Sequence, residues 1–204
     1  FDPTETNLSS IATAIKASNP DATLVIAFDQ TKPLLKALAS AGVDMSKLYF
    51  VDGNTSDYSS ELDAGLLKGS KGTIPGVNPS DDFIKRLEST GVDLKNTTTY
   101  AAETYDGIIL AALAAQKGGS ADGKTSQANM ASVSGADGGE KCDSYKACLA
   151  LLKDGKDIQY QGQTGIGPFN KNNDPSSANI GVYTFDGDNK PVFDHTQSGD
   201  VPTD

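Results

Sequence analysis

Residues 23–55, TLVIAFDQTKPLLKALASAGVDMSKLYFVDGNT, read as one strand-helix-strand module. Thr23 to Ala27 is a short apolar run rich in β-branched residues, too brief for a helix and bounded by the turn signal Asn19-Pro20-Asp21, so it reads as a buried strand. A helix follows. Thr31 is placed to cap it, Pro33 falls near its first turn where a missing N–H costs nothing, and Leu34, Leu35 and Leu38 make an apolar stripe that ends at Gly42. Leu48 to Val51 is a second strand, and two strands joined by a helical crossover of this length lie parallel with a right-handed connection. In open parallel sheets ligands bind beyond the carboxyl ends of the strands. Here those ends are Phe28-Asp29 and Asp52-Gly53-Asn54-Thr55, polar and adaptable enough for a small polar ligand.

With 204 residues, 37% of them hydrophobic, the chain buries a real core in one domain or two small ones. Its 27 acidic and 17 basic side chains leave a net charge of −10, which argues against nucleic acid and against anionic membranes, since both need a basic surface. No run approaches the roughly 18 to 20 apolar residues that span a bilayer, and no signal-peptide pattern is present. Phe1-Asp2-Pro3 leads straight into a helix at about Leu8 to Ala17 without an initiator Met, which reads as a fragment that begins mid-protein. Cys142 and Cys148 are too far apart for a C-x-x-C redox pair, and the single His, His195, supplies no zinc set. They form either a local disulfide, favoured by a secreted-looking composition, or two isolated thiols on a helix.

Along the rest of the chain, Ser59 or Ser60 caps a short helix carrying Leu62, Leu66 and Leu67, and Gly72 to Ile74 is a brief strand closed by Pro75-Gly76. A helix from about Ser80 to Ser89 and the strongest helix of the sequence, Tyr100 to Gln116, follow. Gly118 to Glu140 reads as a mobile loop that leaves room for one short helix at about Lys124 to Val133. Ser144 to Asp154 is helical, and Ile158 to Tyr160, Ile180 to Phe185 and Pro191 to Phe193 are strands, the last two joined by the turn Asp186-Gly187-Asp188-Asn189.

Gly118-Gly119-Ser120-Ala121-Asp122-Gly123-Lys124-Thr125 fits the phosphate-loop pattern letter for letter, but it follows a helix where that loop must follow a strand. The tail His195 to Gly199 reads as flexible and solvated, a poor place for a catalytic base. Asp81-Asp82 opens a helix, where the dipole explains it. Glu103 and Asp106 lie one turn apart on the long helix, Asp106 as a polar-face residue or a bond to a neighbouring loop. No metal site or cofactor is expected.

Taken in order, NPDATLVIAFDQTKPLLKALASAGV, LYFVDGNTS, YAAETYDGIILAALA and YQGQTGIGPFNKNNDPSSANIGVYTFDGDNK resemble the second half of a type I periplasmic substrate-binding protein, of the branched-chain amino-acid-binding family of ABC importers. The resemblance covers nearly the whole chain, and CDSYKAC is similar to the local cysteine pair of Gram-positive members. It implies an α/β fold of parallel-sheet lobes with helices on both faces, here incomplete, residues 1–76 and 181–204 belonging to the second lobe and 77–180 returning to the first. It implies a small-molecule ligand, a membrane ABC permease as partner, no catalysis, and an extracellular location, lipid-anchored or periplasmic.

The resemblance also implies site residues. Phe28 matches an aromatic cleft wall, and Tyr100 a further aromatic position. The family's acidic partner for a ligand ammonium aligns on Asn54, which cannot make an ion pair, so Asp29 or Asp52 takes that part. Read from the residues alone, Phe28 and Tyr100 fit core positions equally well, and Asp29, Asp52 and Asn54 fit turns. The other side of the cleft would lie in an absent N-terminal segment, so the bare sheet edges are either completed by the rest of the protein or self-associate. The competing readings are a P-loop-like or hydrolase-like α/β enzyme and a ligand-sensing receptor domain of the same fold.

Overall fold

A computed structural model describes residues 5, 7–94, 97–165 and 167–201. The chain divides into two compact units, Phe1–Pro75 with Gly181–His195, and Gly76–Ile180 with Thr196–Asp204.

The first unit carries α1 (Ser9–Ser18), β1 (Thr23–Val25), α2 (Thr31–Ser40), β2 (Leu48–Val51) and β3 (Lys71–Pro75). Two further strands, β6 (Ser177–Phe185) and β7 (Pro191–Asp200), complete a sheet of order β1-β2-β3-β6-β7 and run on past the boundary between the units. The module of residues 23–55 forms as its pattern dictates. β1 and β2 are parallel in the register Thr23↔Leu48, Leu24↔Tyr49, Val25↔Phe50, and β2 runs parallel to β3. Thr31 is not the cap but the first helical residue; Gln30 holds the cap position without a side-chain cap bond, because the turn after Phe28 is already helical there. Val25, Leu48 and Phe50 point to a core closed by Leu8 at the N-cap of α1 and Ala12 within it, by Leu34, Leu35 and Leu38 of α2, and by Phe185. The other face of the same strands carries Leu24 and Tyr49, which are exposed, as is Ile26 just beyond β1.

The expected helix at about residues 59–69 is instead a series of turns. The reason lies far away in sequence. Asn189, wholly buried in the β6–β7 turn with a left-handed φ of 61°, accepts from the Leu67 amide at 2.9 Å through Oδ1 and donates from Nδ2 to the Asp63 carbonyl at 2.9 Å. These bonds engage backbone groups that a helical ladder would need. The tail is also corrected: His195 to Gly199 is part of β7, not a free end, and its Ser198 hydroxyl donates to Asn179 Oδ1 at 2.6 Å.

The second unit carries α3 (Asp81–Glu88), α4 (Ala101–Gly118), α5 (Gly123–Ser134), β4 (Glu140–Cys142), α6 (Tyr145–Lys153) and β5 (Ile158–Tyr160). β4 and β5 pair in parallel. The short helix for which the sequence left room at about Lys124 to Val133 forms as α5, 12 residues long, and packs Val133 against Leu110 and Leu113 of α4. Asp122 initiates that helix by accepting from the Thr125 amide at 2.9 Å. The phosphate-loop pattern therefore spans the joint between two helices. Cys142 and Cys148 are disulfide-bonded with Cα atoms 5.3 Å apart, tying the end of β4 to α6. No helix among the described residues is long and apolar enough to cross a membrane.

Candidate functional site

At the carboxyl ends of β1 and β2, Ile26, Ala27, Phe28, Gln30, Val51, Asp52 and Gly53 line a concavity of about 440 Å³. Phe28 is 78% exposed, an unusual state for a residue leaving a buried strand. Its ring lies over Gly53, where a Cβ would make ordinary van der Waals contact with the ring carbons at 3.6 Å. Asp52 follows with a left-handed φ of 50°, and both it and Asp29 are exposed.

Asn54 is placed differently. It is 1% exposed, its Oδ1 accepts from the Val51 amide at 2.7 Å, and its Nδ2 donates to the Val25 carbonyl at 2.8 Å. One amide side chain staples the end of β1 to the end of β2, and so fixes the gap between the Phe28 and Asp52 loops. Beneath it, the Tyr58 hydroxyl donates to the Asn54 carbonyl at 2.9 Å, and burial pushes the Tyr58 phenol up to about 12. The structure therefore brings Phe28 and Asp52 into one concavity, sets Asp29 beside Phe28 in the chain and exposed, and seats Asn54 under the floor. Tyr58 was not singled out in the sequence; only the aromatic packing of Phe50, Tyr58 and Phe185 around this floor reveals it.

Tyr100 belongs to the second unit, at the N-cap of α4, with a left-handed φ of 61° and 38% of its surface exposed. Two carboxylates of α4 stand below it. Glu103 accepts from the Val77 amide at 2.8 Å. Asp106, 3% exposed, binds the loop after β5, accepting from the Tyr160 hydroxyl and the Gln163 amide at 2.9 Å each and from the Thr164 amide and hydroxyl at 2.8 and 2.9 Å. Burial, followed by the Asp106 carboxylate, pushes the Tyr160 phenol well above its usual range. Asp106 is thus the loop-binding residue anticipated from its place on the helix. Gly162 permits the approach, since a Cβ there would meet the Asp106 carboxylate at 2.2 Å.

A parallel-sheet unit with an aromatic-walled, carboxylate-rimmed concavity at its strand ends has the form of a ligand-binding α/β protein. The family model described as periplasmic binding protein matches residues 1–146, and the chain belongs to that family, one of binding proteins rather than enzymes. A solved structure described as an ABC transporter permease from the Pseudomonas fluorescens group is 19% identical, with a TM-score of 0.46, over 93% of this chain and 46% of that one. The chain thus spans less than half the length of that structure. No curated protein matches it.

Proposed function

We propose that this chain is the C-terminal portion of the extracytoplasmic solute-binding component of an ABC transporter, of type I and Gram-positive character, and that it binds an amino acid or similar small polar ligand. The observation that carries this reading is the exposed Phe28 ring laid over Gly53 beside Asp52, an apolar wall with an acidic rim. Phe28 supplies the wall, Asp52 and Asp29 meet the ligand ammonium, Asn54 sets the spacing from below, and Tyr100, which belongs to the second unit, is a further aromatic candidate. Residues 1–76 and 181–204 serve as part of one lobe and 77–180 as part of the other. The disulfide supports an oxidising, extracytoplasmic location, lipid-anchored or periplasmic. A membrane permease is the partner, and the exposed Leu24, Ile26 and Tyr49 are covered by the rest of the protein or by a second copy.

Calorimetric titration of the full-length protein with leucine, isoleucine, valine and other small polar metabolites tests the ligand, and this chain by itself should bind them poorly, because one side of the ligand is left uncontacted. Saturable binding that Phe28→Ala weakens by about tenfold, the loss of one well-placed aromatic contact, is expected. Binding of magnesium-ATP, or a Phe28→Ala variant that binds as well as the parent, would overturn the reading.

A further inference from the structure

Arg86 is the chain's only arginine. It lies on α3 one turn after Phe83, and its guanidinium carbon sits 5.3 Å from the Phe83 ring centre and 4.8 Å from that of Tyr105 on α4. The two rings meet edge to face, 5.3 Å apart at 71°. Both distances fall inside the range of cation–π attraction, about 6 Å. The side chain is exposed, yet it is held on two sides by aromatic rings, one of them on a buried residue, Phe83. No described carboxylate stands within ion-pairing distance of it, and no described acceptor takes a hydrogen bond from its N–H groups.

That combination is unexpected in a chain with ten more acidic than basic side chains. Nearby acids are engaged elsewhere or turned away. Asp82 faces Lys85 at 4.0 Å, and Asp106 is occupied by Tyr160, Gln163 and Thr164. Aromatic rings hold the guanidinium but leave its N–H donors unused, and a planar, pre-oriented fork of that kind matches a carboxylate. An isolated exposed cation holds a free anion weakly. An acidic side chain arriving on another protein also covers the apolar ring surface, and arginine with tyrosine is the pairing that carries protein interfaces.

We propose that Arg86, held against Phe83 and Tyr105, anchors a carboxylate-binding site on the second unit that receives an acidic side chain of a partner protein. The site lies within the second unit and does not depend on the ligand reading given above.

A single arginine gives a single Nε–H resonance, so a ¹H–¹⁵N spectrum of the labelled chain reports this site alone. Sodium acetate and tetraglutamate are titrated against sodium chloride of equal ionic strength. The expected result is a saturable shift with acetate, half-complete at tens of millimolar, and the same shift at about tenfold lower concentration of tetraglutamate. Arg86→Lys keeps the charge but loses the fork, and should weaken tetraglutamate binding about tenfold by calorimetry. Tyr105→Leu removes one ring from the stack; it should move the Nε–H resonance and weaken binding several-fold while the circular dichroism stays native. Phe28→Ala should leave the Arg86 response unchanged, whatever it does to ligand binding. Shifts no different from those with chloride would overturn the site. Acetate saturation with no gain for tetraglutamate would overturn the protein partner.

Discussion

Replacing Asp106 should cost more than any other single polar change in the second unit. Its carboxylate, 3% exposed, takes four donors: the Tyr160 hydroxyl, the Gln163 amide, and the Thr164 amide and hydroxyl, at 2.8 to 2.9 Å. Asp106→Asn keeps an oxygen for Tyr160 and Gln163 but turns an NH₂ toward Thr164. The Thr164 hydroxyl can rotate and accept. Its backbone N–H cannot, and is left facing another donor. An orphaned buried donor costs about 1–3 kcal/mol, and the two surviving bonds lose their charge assistance, so the total is about 3 kcal/mol. Asp106→Ala strands all four donors and should cost about 3–5 kcal/mol. Urea unfolding followed by far-ultraviolet circular dichroism reads this directly, and a loss of about 3 kcal/mol lowers Tm by about 6–12 °C in a chain of this size. A loss below about 1 kcal/mol for the alanine variant would refute the reasoning, because it would mean that the loop after β5 is held by something other than this carboxylate.

Asn54→Asp, which restores the acidic type at that position, should lower stability by about 2–3 kcal/mol and gain no affinity for an amino acid, because the new carboxylate faces the Val25 carbonyl that Nδ2 now serves; thermal melts with and without ligand check both. Tyr58 is held neutral by burial, with its folded-state value raised from 10.0 to about 12, so its contribution is complete below pH 10 and is lost as pH rises from 10 towards 12. Tm should therefore fall across that window, and absorbance near 295 nm should show Tyr58 ionising only with unfolding. Thiol titration without reductant should find no reactive thiol, and breaking the Cys142–Cys148 bond should cost about 2 kcal/mol.

The β1-α2-β2 module could be read in advance because its signals are local: a short β-branched run, a leucine stripe at helical spacing, then a second run. The placement of Phe28 and Asp52 followed from topology alone, since strand ends of a parallel sheet share one side. What escaped was set by distant partners. Asn189 and the turns it holds are 122 residues apart at Leu67, and nothing in either segment announces the other. Asn54 looked like turn chemistry because its amide serves Val25, 29 residues earlier. α5 was placed to within a residue at each end, but its glycine and serine content made the segment around it look mobile, and packing on α4 outweighs that weak intrinsic helicity.

The dependence of the first unit on Asn189 also has a dimension in time. Its first 75 residues hold both helices and three strands, yet the turns between β2 and β3 are tied by a side chain made 122 positions after Leu67. At ordinary rates of synthesis the ribosome needs roughly ten seconds to bridge that distance. During that interval the unit can collapse but cannot lock, and a chain stalled near residue 150 should be cut by protease throughout its early segment. For a protein bound for the far side of a membrane, that delay is useful: the polypeptide stays loose enough to be threaded, and the unit sets only after the β6–β7 hairpin has arrived.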